Sequence, residues 1–290
     1  MDTLFGRAAP PGRWSRMAAA WRPTLRYCMR TEVHVYALAV AASALLSFYP
    51  FLVVMLSFCR NVLHWPAAVD AIYLALNDYL PGDVGAFLKR NLPTRGTFQF
   101  TSMLLLLITA NGIFEPLEVA LNHVWGAKSN RSYIKNQLVS LGMIFVCGGL
   151  ALLSLILTAM NGQWARSWTG SNGKLELWLN LLIFKLAALP ISILALFLIF
   201  WRLPNRRIRA SRVAPMAIAV GLVLELMKYV NLLIWPPLRD KLEREYGVFH
   251  NSATILIWSF VAAMIVLAAA KWAAQVEIQD GERLEESSAG

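Results

Sequence analysis

The chain has 290 residues, of which 58% are hydrophobic and only 15% are charged. Soluble proteins carry about 25% charged residues, so this composition excludes an ordinary soluble domain and indicates a membrane protein. The net charge of +10 does not indicate nucleic-acid binding, because the Arg and Lys residues lie between apolar runs and form no basic module with aromatic side chains.

Six apolar segments are long enough to cross a bilayer, whose core requires about 20 residues of helix. The sequence therefore predicts an all-α polytopic membrane protein with one transmembrane domain at residues 33–275. Residues 1–32 form a basic segment before it, and residues 276–290, rich in Glu and Ser, predict a disordered tail. The predicted transmembrane helices are 33–58, 99–122, 134–160, 177–201, 213–235 and 252–274.

The distribution of basic residues predicts the orientation. Sixteen Lys and Arg residues lie in the N-terminal segment, the second and fourth connections and the C-terminal end, against nine in the other connections. Cytoplasmic loops carry the excess of basic residues. Both termini are therefore expected in the cytoplasm, and the protein in a bacterial-type inner membrane.

The outer connections are predicted to hold amphipathic helices. At residues 65–80 apolar residues recur at helical spacing, with Asp70 on the opposite face, and a shorter stretch at 84–88 does the same. The 237–250 connection has apolar residues among alternating charges and predicts a third such helix. These helices are expected on the outer surface of the bundle.

The second predicted helix carries four polar residues on one face. Their spacing of i, i+4, i+7 and i+11 places them within about 60° of arc; they are Asn111, Glu115, Glu118 and Asn122. An ionisable side chain at membrane depth costs at least about 2.5–3.5 kcal/mol, so this stripe is expected to face the bundle interior or a hydrated cavity. Glu115 is expected to meet a positive partner, for which the candidates are Lys228, Lys185 and Lys271.

Two further predicted helices carry charges. Glu225 and Lys228 lie three residues apart on the fifth, and Lys185 lies on the fourth. One hypothesis is that they line a common polar cavity with the second-helix stripe. The alternative is structural: Glu225 and Lys228 neutralise each other, and Lys185 extends its ammonium to the membrane surface. In the third helix, Gly148 and Gly149 beside small polar residues favour close helix packing.

The fourth-to-fifth connection holds a dense group of basic residues. These are expected to contact anionic lipid headgroups on the cytoplasmic side, at about 1 kcal/mol for each residue near the surface. The headgroup candidates are Arg206, Arg207, Arg209 and Arg212. Membrane lipids are thus the expected partners. No nucleic-acid partner is predicted, and an oligomer is compatible with the sequence.

No motif indicates an enzyme, a cofactor or a metal. The chain lacks H-E-x-x-H, G-x-S-x-G and P-loop motifs. Its four His residues are scattered, and its three Cys residues have neither disulfide nor metal-ligand spacing. Two membrane carboxylates on one face suit an acid–base pair, but they equally suit a proton relay or a cation site. The protein is therefore not expected to be an enzyme.

Several motifs occur in the order and spacing of a known family. They are Ala42-Ser43-Ala44-Leu45-Leu46-Ser47-Phe48-Tyr49-Pro50, Glu118, Leu121-Asn122, Trp125, Arg131, Leu203-Pro204 and Tyr246-Gly247. Over residues 30–275 the chain resembles the YihY/BrkB-like inner-membrane family. The resemblance implies a poorly characterised six-helix protein of the bacterial inner membrane, in some cases labelled a virulence factor and suspected of transport. An older ribonuclease label finds no support here, since the sequence has no metal-binding His/Asp cluster.

One departure from the family pattern affects a charged position. Family members often end the sixth helix with Gly-Ala-Glu, where this chain has Ala269-Ala270-Lys271. The reversed charge puts in doubt any role carried over for that acidic group. It also favours a contact between Lys271 and Glu118, since both lie near the cytoplasmic ends of their predicted helices.

Together these patterns favour an inner-membrane transporter-like protein with a polar intramembrane cavity, for a lipid-like or amphiphilic substrate. The alternative is a non-transporting membrane scaffold or partner in envelope assembly, whose charges form structural ion pairs. An intramembrane enzyme ranks third. A cavity lined by the second-helix stripe would favour transport, and a packed interior with paired charges would favour the scaffold.

Overall fold

The computed structural model describes residues 22–79, 114–127, 131–168, 189–206 and 208–289. All regular structure in these ranges is helical, which confirms the predicted all-α class. The predictions for residues 84–88, Asn111, Lys185 and Arg207 lie outside the described residues, as do large parts of the second and fourth predicted helices. The backbone of Lys228 is described, but its side chain is not.

Within the described ranges the chain forms eight α-helices, and a 3₁₀ turn at Gly247–Phe249 joins the last two. In chain order they are α1 (22–28), α2 (Thr31–Asn61), α3 (Pro66–Tyr79), α4 (114–125), α5 (Tyr133–Trp168), α6 (Leu189–Arg202), α7 (Ala210–Tyr246) and α8 (His250–Ala289).

Four described segments are long and apolar enough to cross a membrane, and they correspond to the first, third, fifth and sixth predicted helices. They are Thr31–Asn61, Ile134–Ser154, Ala210–Met227 and Pro236–Val276. The shorter apolar helix α6 matches the C-terminal part of the fourth. The membrane class is thereby confirmed. The count of six is not, because much of the second and fourth helices lies outside the described residues.

The first and last long helices pack as an antiparallel pair. At one end the Thr24 hydroxyl donates to the side-chain oxygen of Gln275, at 3.2 Å. Farther along, the ring of His34 stacks on that of Phe260, with centroids 6.2 Å apart. The shared core includes small residues such as Ala37, and small residues let helix backbones approach closely in membrane proteins.

Tyr27 fixes the same end of this pair. Its ring is buried, and the Lys271 ammonium lies over it, 5.7 Å from the centroid. Burial raises the pKa of Tyr27 to about 12, so the phenol is neutral at physiological pH. The expected contact between Lys271 and Glu118 is wrong: Lys271 lies over Tyr27, and Glu118 pairs with Arg131.

The predicted amphipathic helix at 65–80 is confirmed as α3. One face, which includes Ala71, Ile72 and Leu76, is buried, whereas Asp70 is exposed. This helix packs on both α2 and α5. It therefore covers part of the bundle with its apolar face.

The structure corrects the predicted break after residue 235. Helix α7 continues through Pro236 and Pro237 to Tyr246. Proline is compatible with a helical φ and costs the helix a backbone hydrogen bond and a local clash. The following turns are held by an Arg239–Glu243 ion pair at i, i+4, which offsets part of that cost.

Helix α7 is too long to lie wholly within a membrane. Its 37 residues extend about 55 Å, whereas the bilayer core is about 30 Å thick. The helix ends at Tyr246, and the next residue, Gly247, has a φ of 52°, in the left-handed region that favours glycine. The Tyr246-Gly247 motif thus marks the turn into α8.

The tail is also helical where the sequence predicted disorder. Helix α8 continues from the apolar segment to Ala289. The tail at 276–290 has four Glu residues and one each of Gln, Arg, Leu and Ala, which are all good helix formers. Extension of an existing helix avoids the unfavourable nucleation step, so this composition suffices to continue it.

Two glycines lie where helices approach closely. At Gly221 in α7, an added Cβ would lie 2.6 Å from Cγ1 of Ile193 in α6. At Gly148 in α5, it would lie 2.9 Å from Cε2 of Phe51 in α2, which confirms close packing of the third predicted helix. A Cβ at Gly149 would meet no atom within 4 Å.

The Gly221→Ala variant is expected to lower the free energy of unfolding by about 1–3 kcal/mol, because the new methyl group overpacks against Ile193. Gly149→Ala is the matched control, since its methyl enters open space and Ala exceeds Gly in helix propensity by about 1 kcal/mol. Thermal unfolding in detergent, followed by circular dichroism, measures both. Equal melting temperatures would contradict the close approach of α6 and α7.

Candidate functional site

Helix α4 presents polar side chains to the protein interior. Glu118 and Asn122 lie one turn apart, and Trp125 follows on the same side; all three are buried, Glu118 to 3% exposure. Their neighbours, including Leu117 and Leu121, belong to the main hydrophobic core. A carboxylate in such surroundings requires a cationic or hydrogen-bonding partner.

Arg131 supplies the cation. Its Nη1 lies 3.8 Å from Oε1 of Glu118. The same guanidinium donates to the backbone oxygens of Arg202 at 3.0 Å, Leu203 at 3.2 Å and Pro204 at 3.3 Å. These carbonyls belong to the last residue of α6 and to the two residues after it, where a helix leaves carbonyl groups without partners. Arg131 therefore joins α4 to the end of α6.

Two further hydrogen bonds attach the α6–α7 loop to α4. The backbone N–H of Asn205 donates to Oδ1 of Asn122 at 2.7 Å. Arg206 donates to the backbone oxygen of Trp125 at 2.5 Å. We call this set of contacts the loop clasp; it comprises Glu118, Asn122, Trp125, Arg131 and residues 202–206.

The loop clasp contains an expensive ion pair. Glu118 is almost wholly buried and the Arg131 side chain is 18% exposed. The second carboxylate oxygen of Glu118 is buried without a hydrogen-bond partner in the described part of the chain. Burial of such a pair contributes little net stability, but removal of one partner is strongly destabilising. The ion pair therefore specifies how these segments are arranged more than it adds to the free energy of unfolding.

A polar pocket adjoins the loop clasp. Its volume is about 580 Å³, and its lining residues are Arg131, Trp201, Arg202, Pro204, Asn205, Arg206 and Ile208. Three of these seven residues are arginines, and none is acidic. We call this the arginine pocket.

A second cavity lies between α5, α6 and α7. Its volume is about 230 Å³, and its walls are apolar except for Ser192 and Glu225. Gly221 also lines it, next to its close approach to Ile193. Glu225 is half-buried, so a carboxylate of α7 faces a small apolar space, and we call this the Glu225 cavity. Pairing of Glu225 with Lys228 stays a prediction.

The structure divides the predicted second-helix stripe. Glu118 and Asn122 are buried together, but Glu115 is exposed, with Val119 and His123 one and two turns farther along. The prediction that Glu115 faces the interior is wrong for this reason: core packing covers the neighbouring side of α4. A cationic partner for Glu115 stays a prediction.

The predicted headgroup arginines have different surroundings. Arg206 is part of the loop clasp, Arg209 is exposed at the start of α7, and Arg212 is half-buried. Sequence reasoning missed Arg131 as the partner of Glu118. A signal for this contact was present in the family-like motifs, since several of them meet in the loop clasp. These are Glu118, Asn122, Trp125, Arg131 and Leu203-Pro204. Among the described residues no group of three His, Cys, Asp or Glu side chains is placed to bind a metal.

Replacement of Arg131 by Gln is expected to destabilise the protein by about 3–5 kcal/mol, because Glu118 then stays buried without its cation. The double variant Glu118→Gln with Arg131→Gln should regain a large part of this loss. Glu243→Gln removes an exposed carboxylate and serves as control, with a small effect. Melting temperatures in detergent report all four proteins. An Arg131→Gln effect no larger than the control's would contradict the clasp.

Sequence comparisons relate this architecture to known proteins. A UPF0761 membrane protein of Chlorobium chlorochromatii is 24% identical over 271 residues, which cover 90% of this chain and 60% of that protein. One from Acinetobacter baylyi is 25% identical over 240 residues, covering 79% and 55%. One from Pseudoalteromonas atlantica is 22% identical over 285 residues, covering 91% of each chain. The chain thus spans little more than half the length of the first two.

No solved structure matches this chain. The model of the family described as Virulence factor BrkB matches residues 24–289. That range contains every described helix except the first two residues of α1, as well as the whole loop clasp. The chain therefore belongs to the Virulence factor BrkB family, which is the family that its motifs resemble.

Proposed function

We propose that this protein is an inner-membrane transporter-like protein whose substrate is amphiphilic or lipid-like. The observation that carries the proposal is the Glu225 cavity, where one carboxylate and one hydroxyl face otherwise apolar walls. Ligand sites have this composition, mainly apolar with a few polar groups that orient the ligand. A carboxylate in a membrane helix marks a functional site by default, because burial there is costly.

The size of the cavity limits what it holds. Its volume of about 230 Å³ lies below the range of about 300–1,000 Å³ typical of sites for drug-sized ligands. It suits one part of an amphiphile, such as a small polar group with the first carbons of a chain. The remainder of the substrate would lie along the surfaces of α5, α6 and α7.

The proposed orientation has both termini in the cytoplasm. It is supported by the excess of basic residues on that side. The Thr24–Gln275 contact supports the placement of the N-terminal helix and the end of the last apolar span on one side of the membrane. His123 of α4 lies 4.0 Å from Glu32 at the start of α2, which puts the loop clasp at the same end. The clasp would then lie at the cytoplasmic face.

A second candidate function is a membrane scaffold in envelope assembly. The loop clasp favours it, because Glu118 is used there in an ion pair and does not line either of the two cavities. A structural ion pair of this kind specifies one arrangement of helices without any substrate. The two candidates differ in whether Glu225 is needed for movement of a substrate.

The topology is testable by labelling. In a variant without Cys28, Cys59 and Cys147, single cysteines at Lys89, Lys174 and Lys241 should react with a membrane-impermeant maleimide added to intact spheroplasts. A cysteine at Arg26, an exposed position in α1, should react only after the membrane is opened. Labelling of Arg26→Cys from outside, or protection of Lys241→Cys, would reverse or break the proposed orientation.

Transport is testable in liposomes with fluorescent phospholipid and ion-flux reporters. Glu225→Gln should leave the protein folded but abolish the flux, because the neutral amide cannot hold a proton or cation as a carboxylate does. Glu225→Asp should retain part of the flux. Glu243→Gln, in the same helix but exposed, is the control and should be unchanged. Full flux in Glu225→Gln would leave the scaffold as the better candidate.

A further inference from the structure

The arginine pocket has a composition unlike that of the Glu225 cavity. Three arginines from two separate segments line about 580 Å³, together with Asn205 and the aromatic ring of Trp201. Guanidinium groups bind phosphate through paired, charge-assisted hydrogen bonds. A concave surface lined by several of them, with no carboxylate among its lining residues, is suited to an anion.

The position of the pocket would normally oppose anion binding. It lies at the C-terminus of α6, and the C-terminal end of a helix carries partial negative charge on its free carbonyls. Here Arg131 donates to the carbonyls of Arg202, Leu203 and Pro204. These acceptors are thus occupied, and the local charge at the helix end is positive.

The charge of Glu118 does not cancel this effect. Glu118 contacts Arg131 from the buried side and is not among the residues that line the pocket. Glu118 therefore offsets the charge of Arg131 alone, and the pocket keeps two further arginines, Arg202 and Arg206, which are exposed. Arg131 serves as the fixed positive charge behind the pocket. Arg202 and Arg206 line its exposed side, and Arg206 also donates to the backbone oxygen of Trp125.

Trp201 and Ile208 give the pocket an apolar border. Trp201 is 43% exposed and lies next to the last residue of the apolar helix α6. Trp at the end of an apolar helix is typical of the membrane–water interface, at the level of lipid headgroups. The pocket is therefore placed where a lipid phosphate would lie, within reach of soluble phosphates from the water side.

We infer that the arginine pocket binds a phosphate group, either that of an anionic lipid headgroup or a soluble phosphate, with Arg202 and Arg206 as donors and Arg131 as the fixed charge behind them. The inference deepens the proposed function, since a phosphate-bearing amphiphile would be held at this end of the bundle. It is tested by binding alone, so its outcome is separate from that of the flux measurement on Glu225.

The experiment uses the full-length protein in a neutral detergent, with three probes: dihexanoyl phosphatidylglycerol, inorganic phosphate, and dihexanoylglycerol, which lacks a phosphate. Binding is followed by isothermal titration calorimetry and by tryptophan fluorescence. The part of the fluorescence change that is lost in Trp201→Phe arises at the pocket. The variants are Arg202→Gln, Arg202→Lys and Arg206→Gln. Arg26→Gln, an exposed arginine outside the pocket, is the control.

Phosphatidylglycerol should bind the wild type and Arg26→Gln alike, and bind Arg202→Gln about tenfold more weakly, the effect of one lost charge-assisted hydrogen bond. Arg202→Lys should fall between them, because it keeps the charge but loses the planar donor pair. Arg206→Gln should also weaken binding. Because Arg206 belongs to the loop clasp, weaker binding by Arg206→Gln tests the inference only if the melting temperature of that variant is unchanged. If that melting temperature falls, the binding by Arg202→Gln is the test.

The probes distinguish the sources of the phosphate. If phosphatidylglycerol binds and inorganic phosphate does not, the pocket is assigned to a lipid headgroup. If inorganic phosphate also binds, and this binding is lost in Arg202→Gln, the pocket is assigned to a soluble ligand as well. Equal weakening in Arg26→Gln, equal binding of dihexanoylglycerol, or unchanged binding in Arg202→Gln would overturn the inference.

Discussion

The burial of one carboxylate constrains a large part of this structure. Glu118 lies among core residues of α4, where a charge without a partner would be too costly to keep. Arg131 meets it from a segment just before α5, and the same guanidinium binds the backbone at the end of α6. One cation thus sets the relative positions of α4, the segment before α5 and the end of α6, which lies about 70 residues farther along the chain. The arginine pocket exists because this cation is held in place.

The arginine pocket and the Glu225 cavity have opposite character, and they share no lining residue. The arginine pocket is positive and polar and lies at the end that carries the loop clasp. The Glu225 cavity is small and apolar, with an acidic group, and lies between helices. Rigid hydrogen bonds surround the first, whereas the second is bounded by hydrophobic side chains and a close helix contact at Gly221.

The sequence predicts those features that depend on local pattern. Long apolar runs located four spans, and helical spacing located α3 with its buried Ile72. The sequence does not predict those features that depend on packing between helices. Periodicity shows that Glu115 and Glu118 share a broad face, but only the neighbouring helices determine that Glu118 is covered and Glu115 is not. The Glu118–Arg131 contact crosses a loop and follows no periodic rule, so no spacing argument finds it.

The antiparallel contact between α2 and α8 has a consequence for biosynthesis. Thr24, in the short helix α1 just before α2, lies 251 residues before Gln275, and ribosomes add about 5–20 residues per second. The N-terminal helices therefore wait roughly 12–50 s for their partner. During that interval the small-residue face around Ala37 has no final neighbour from α8. A prematurely terminated chain keeps this face uncovered. The feature that an unfinished molecule presents to membrane quality control is therefore an inserted first helix without its partner helix.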